Sequence, residues 1–108
     1  MSRFAETLAR LAATIEARKG SDPKSSYTAK LLAGGAPLAA KKFGEEAIET
    51  ALAAVMNDPD AVAAESADLI YHWLVLLTAS GVSLDAVAAR LEAREGRSGI
   101  EEKASRGA

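Results

Sequence analysis

The sequence predicts an all-α fold of about five helices, and three observations carry that reading. Alanine is spread along the whole chain, and it is the strongest helix former because it loses no side-chain entropy on folding. Apolar residues recur three and four apart, the period of a single helix face. The three prolines, Pro23, Pro37 and Pro59, stand between the periodic segments and never inside one.

Each helix has its own signals. From Arg3 to about Lys19, Phe4, Leu8, Leu11 and Ile15 form the narrow apolar stripe of an amphipathic first helix. "KGSDPKSS" breaks it, with Gly20 past the helix end and Pro23 preventing continuation. Ser25 or Ser26 caps a short second helix, "YTAKLLAGG", which stops at Gly34 and Gly35. Pro37 stands near the start of a third helix that runs to about Asn57. Asp58 is the expected N-cap of a fourth, with Pro59 at its first position and Gly81 following its last residue, Ser80. The stretch Leu69–Leu77 is apolar almost all round, as in a helix surrounded by protein. Ser83 caps a fifth helix, "SLDAVAARLEAR", with Leu84, Val87 and Leu91 on one face. Residues 96–108, "GRSGIEEKASRGA", read as a charged tail on a single domain spanning residues 1–108, and no internal repeat is present.

A chain of 108 residues is near the size at which one core needs help from a partner. The apolar stretch of the fourth helix has more surface than so short a chain covers, so a homodimer is expected to complete the bundle. A short connection makes the third and fourth helices an antiparallel hairpin.

The composition excludes several classes. A net charge of −2, from 13 basic and 15 acidic residues, leaves no basic field to recruit nucleic acid. The absence of cysteine removes disulfides and thiolate metal sites. The longest apolar run, "LIYHWLVLLTA", is too short to span a bilayer, and no secretory signal pattern opens the chain. A cytoplasmic protein without a membrane or nucleic-acid partner is expected.

Acidic residues crowd into "KKFGEEAIET", Lys41 to Thr50. Glu46 and Glu49 are three apart and Glu45 and Glu49 four apart, so they share a helix face; Glu65 and Asp68 repeat the spacing of three on the next helix. Across a hairpin, Glu46, Glu49, Glu65 and Asp68 would converge. Like charges at such separations need a cation, and Mg²⁺, with Mn²⁺ as an alternative, prefers carboxylate oxygens. The competing reading is a solvated face, in which Lys41 pairs with Glu45 and Lys42 with Glu46 and the protein is a non-catalytic helical dimerisation module. Lysine before glutamate is the weaker orientation for such pairs, which counts against that reading. Lys41 and Lys42 precede the acids by about one turn and suit phosphate oxygens. Metal and lysines together point to a phosphoanhydride substrate, held without a glycine-rich P-loop. His72, the single histidine, reads as a buried residue bonded to a neighbour, and Tyr71 and Trp73 as core or interface residues.

"KKFGEEAIET" followed by "ESADLIYHWLVLL" resembles the EExxE…ExxD signature of the all-α, MazG-like nucleotide pyrophosphohydrolases. "SSYTAKLLAGG", "DLIYHWLVLL" and "SGIEEKASR" make the sequence similar, more narrowly, to the phosphoribosyl-ATP pyrophosphohydrolase family of histidine biosynthesis, over about residues 20–106. The resemblance implies a MazG-like bundle, a cytoplasmic homodimer, and Mg²⁺-dependent hydrolysis of phosphoribosyl-ATP to phosphoribosyl-AMP and pyrophosphate. Glu46, Glu49, Glu65 and Asp68 match the family's metal-binding carboxylates. Glu45, Glu46 and Glu49 are the catalytic set it implies, Glu45 as a ligand, a neighbour of the ligands or a base that orients water. Lys41 and Lys42 match the basic pair. Tyr27, Lys30, Lys103 and Arg106 are the further substrate-binding candidates, with Ser98 and Gly99 in a turn that orders on binding. Phe43 departs from the smaller aliphatic residue commoner at that place, a change expected to affect packing only. A chain without an attached cyclohydrolase domain is expected, with contact with the enzyme of the next step made in trans. A house-cleaning nucleoside triphosphate pyrophosphatase of the same superfamily is the alternative.

Overall fold

The computed structural model describes residues 2–96. Five helices follow one another: α1 (Arg3–Ala17), α2 (Tyr27–Ala33), α3 (Gly35–Val55), α4 (Pro59–Ser80) and α5 (Leu84–Glu92). Among the described residues there is no strand. Serine or aspartate caps four of the helix starts. Ser2, Ser26, Asp58 and Ser83 each accept a hydrogen bond from the backbone N–H three residues on, at 3.0–3.2 Å.

The α3–α4 hairpin is the frame of the molecule, and its tight turn sets the register. Asn57 adopts a left-handed φ of 57°, which asparagine tolerates better than most residues. This lets the Asp58 N–H reach Ala53 O at 3.2 Å and the Asn57 N–H reach Ala54 O at 3.1 Å, closing the end of α3. Asp58 then caps α4 through its side chain, and Pro59 opens the helix where an N–H is not needed.

The joint between α2 and α3 is tighter than the sequence suggests. Gly34 alone separates them, so α3 starts at Gly35 and Pro37 falls within its first turn. Gly35 takes φ +71°, and a Cβ on Gly34 would collide with the Leu38 side chain. Two glycines permit a joint this short, which a larger residue at either position would strain. Likewise α1 stops at Ala17 rather than running to Lys19, whose ammonium instead bonds Glu16 at 3.0 Å.

The core lies at the end of the hairpin away from the turn. Ile15, Leu31, Ala39, Leu74 and Val75, one or two from each of α1 to α4, are all but inaccessible. Leu8, Leu11, Tyr71, Trp73 and Leu84 pack around them, half-buried. The turn end buries little besides Ala53. No single described helix is long and apolar enough to cross a membrane.

Candidate functional site

The hairpin brings acids of α3 against an acid of α4. Glu46, Glu49 and Glu65 each offer a carboxylate oxygen, and the three oxygens lie within 4.8 Å of one another. Spacing put Glu46 and Glu49 on one face of α3, and the short turn placed Glu65 opposite them. Asp68 stands outside this group of three, one helical step further along α4 and exposed, yet its charge is felt by both Glu46 and Glu65.

Electrostatics marks the cluster as incomplete by itself. Burial, then hydrogen bonding to Glu49 and the charges of Glu49 and Asp68, push the Glu46 carboxyl from an ordinary 4.5 up to about 7. Hydrogen bonding to Glu49, followed by burial, also raises Glu65. As carboxylates, Glu46 Oε2 and Glu65 Oε2 are both buried without a hydrogen-bond donor. They can be satisfied by protons shared with Glu49 or by a cation. Two orphaned oxygens among three crowded acids fit a hard divalent ion, which prefers oxygen ligands.

The other sequence candidates take distinct places. Glu45 is exposed, outside the cluster, with Lys42 Nζ 4.0 Å from its Oε1, a loose pair in solvent. Lys41 is exposed and Lys42 partly so, one turn ahead of the acids on α3. Tyr27 and Lys30 are exposed on α2. Lys103, Arg106, Ser98 and Gly99 lie outside the described residues. Phe43 is half-buried. His72 is buried, and its Nδ1–H donates to the Asp68 carbonyl at 2.7 Å, tying the ring to the acidic turn of α4.

Three features are absent from the sequence reading above. A groove of about 350 Å³ adjoins the cluster, lined by Glu49, Leu52, Ala53, Met56, Asp58, Ala61 and Glu65. Beside it, Ile48, Leu52, Val55 and Met56 are 56–77% exposed on one side of α3. Their i, i+4, i+7, i+8 spacing was a legible signal of an apolar stripe. The third feature pairs Tyr71 with Thr28 through their hydroxyls, 43 positions apart, and no local pattern announces it. A larger cleft of about 460 Å³, between the α1–α2 linker and the end of α4, contains no acid.

Comparison with known proteins agrees with this geometry. The family model described as phosphoribosyl-ATP pyrophosphohydrolase matches residues 8–95. A phosphoribosyl-ATP pyrophosphatase of Caulobacter vibrioides (strain NA1000 / CB15N) is 72% identical over 104 residues, covering 96% of each chain. Proteins of the same name from Caulobacter sp. (strain K31) and Parvibaculum lavamentivorans are 70% and 59% identical. These alignments cover 98% of both chains in the first case, and 99% of this chain and 98% of the relative in the second.

Proposed function

Because the chain belongs to the phosphoribosyl-ATP pyrophosphohydrolase family, we propose that it hydrolyses phosphoribosyl-ATP to phosphoribosyl-AMP and pyrophosphate, the second step of histidine biosynthesis. The observation that carries this is the meeting of Glu46, Glu49 and Glu65 across the hairpin, within the segment the family model matches.

Glu46, Glu49, Glu65 and Asp68 would hold Mg²⁺, with Mn²⁺ able to replace it. The unpartnered Oε2 atoms of Glu46 and Glu65 support the fit. When bound, the ion neutralises the acidic wall and the charge of the triphosphate. The chain's own residues do the rest. Lys41 and Lys42, one turn ahead, donate to phosphate oxygens and hold the chain of phosphates against the acidic face. Glu45, exposed beside Lys42, is free to orient a water for in-line attack at phosphorus and to take its proton. Lys30, Lys103 and Arg106 complete the phosphate-binding set, and Tyr27 lies within reach of the sugar or base.

The bare stripe Ile48, Leu52, Val55 and Met56 is the face through which two copies pair, since a continuous apolar side on a helix is stable when covered. It borders Glu49, so the second copy would wall the groove and exclude water. A monomer at micromolar concentration in sedimentation equilibrium would reject the dimer. The enzyme works in the cytoplasm and passes its product to the cyclohydrolase of the next step by transient contact. An unchanged sedimentation profile in mixtures of the two enzymes would speak against that contact.

Pyrophosphate release in the presence of Mg²⁺ tests the activity directly. The purified protein should act on phosphoribosyl-ATP and only weakly on deoxynucleoside triphosphates. The reverse preference would reject the histidine-pathway reading in favour of a house-cleaning pyrophosphatase.

A further inference from the structure

Tyr27 is the first residue of α2, held there by the Ser26 cap, and it is 55% exposed. Its ring is nevertheless placed. It stacks in parallel offset on Tyr71, with centroids 6.4 Å apart and planes 19° apart, and meets His72 edge-on at 6.3 Å. Tyr71 is fixed in turn by the hydroxyl bond to Thr28 and by an edge contact with His72 at 4.9 Å. The His72 ring is anchored on the Asp68 carbonyl at 2.7 Å. The acidic turn of α4 therefore leads into a braced aromatic cluster whose one open member is Tyr27. Asp68 and Tyr71 are three residues apart, roughly 4.5 Å along the helix axis.

We propose that Tyr27 is the platform on which the purine of the substrate stacks, with Tyr71 and His72 bracing it from behind. The inference rests on the activity read above and names the residue that reads the base. With the phosphates held at the acids and at Lys42, a nucleotide running along α4 from Glu65 toward Tyr71, away from the hairpin turn, carries its sugar over Asp68 and its base onto the tyrosine. The substrate's chemistry sharpens the match. A phosphoribosyl group on N1 makes the adenine amidine strongly basic, so the purine is carried as a cation near neutral pH. A flat cation gains more from the face of a tyrosine than neutral adenine does. Lys30, one turn further along α2 and exposed, is placed to meet the phosphate on the added ribose. Tyr27 thus selects phosphoribosyl-ATP over ATP.

Steady-state kinetics with Mg²⁺ on wild type, Tyr27→Ala and Tyr27→Phe test this. Tyr27→Ala should raise KM for phosphoribosyl-ATP about tenfold with kcat changed less than about threefold, and Tyr27→Phe should bring KM back. Preference for phosphoribosyl-ATP over ATP should shrink in the alanine variant. Mn²⁺ binding should be the same in all three proteins, which separates a base platform from a prop for the acids. An active wild type with unchanged KM in Tyr27→Ala overturns the platform alone. Loss of Mn²⁺ affinity, or a fall in kcat with no change in KM, overturns it as well by making Tyr27 structural. A wild type that leaves phosphoribosyl-ATP intact overturns the activity and the platform together.

Discussion

The two ends of the α3–α4 hairpin are built on opposite principles. Away from the turn, Ala39 faces Leu74 and Val75, with Ile15 and Leu31 closing over them, and nothing there is charged. Near the turn, the same helices set Glu46, Glu49 and Glu65 against one another and leave Leu52, Val55 and Met56 bare. One end gains stability from burial; the other stores repulsion between acids. The packed end can bear the strained one because a continuous pair of helices joins them. The acidic cluster is thereby held in place by residues that never touch it.

The comparison can be broken most sharply at the acidic end. Glu49→Ala should lower pyrophosphate release on the order of a thousandfold, since outer groups around metal sites alone are worth about 10–100-fold. The melting temperature of the metal-free variant should not fall, because Glu49 adds to the effect of burial in raising Glu46 and is the leading cause of the rise at Glu65. A variant that loses stability but keeps activity would reverse the assignment of the two ends. At the packed end, Leu74→Ala removes a side chain only 2% exposed. It should cost about 3 kcal/mol in urea unfolding while kcat of the folded protein holds.

A smaller effect appears with pH in the metal-free protein. The Glu46 carboxyl, raised to about 7, binds its proton more tightly folded than unfolded. Its contribution is complete below its ordinary value of 4.5 and is lost as pH rises through about 7. Glu65 shifts in the same direction and adds to the trend. Melting temperature should therefore decline from about pH 5 to about pH 8, and Mg²⁺ should remove most of that decline. A metal-free protein that becomes more stable over this range would show that the acids do not repel.

Much of this was legible in the residues. Asp58-Pro59 and Gly81 bound α4 because a side-chain oxygen, a fixed φ and a left-handed glycine act within a few residues. The acids of α3 and α4 were found by spacing alone, since positions three and four apart share a helix face. The joint at Gly34 and Gly35 was located, but not its tightness, which depends on how Leu38 approaches the backbone. The spacing treated Glu46, Glu49, Glu65 and Asp68 alike. It could not separate the three that touch from the one that stands a step away, because that depends on helix rotation and on the turn at Asn57.

By itself the sequence determined the helices, their caps and which side chains share a face, because these follow from interactions between near neighbours. Tertiary structure alone decided which acids meet, which of their oxygens are left without a donor, and that Thr28 braces Tyr71. Those outcomes depend on register and packing between distant segments, and no local period encodes them.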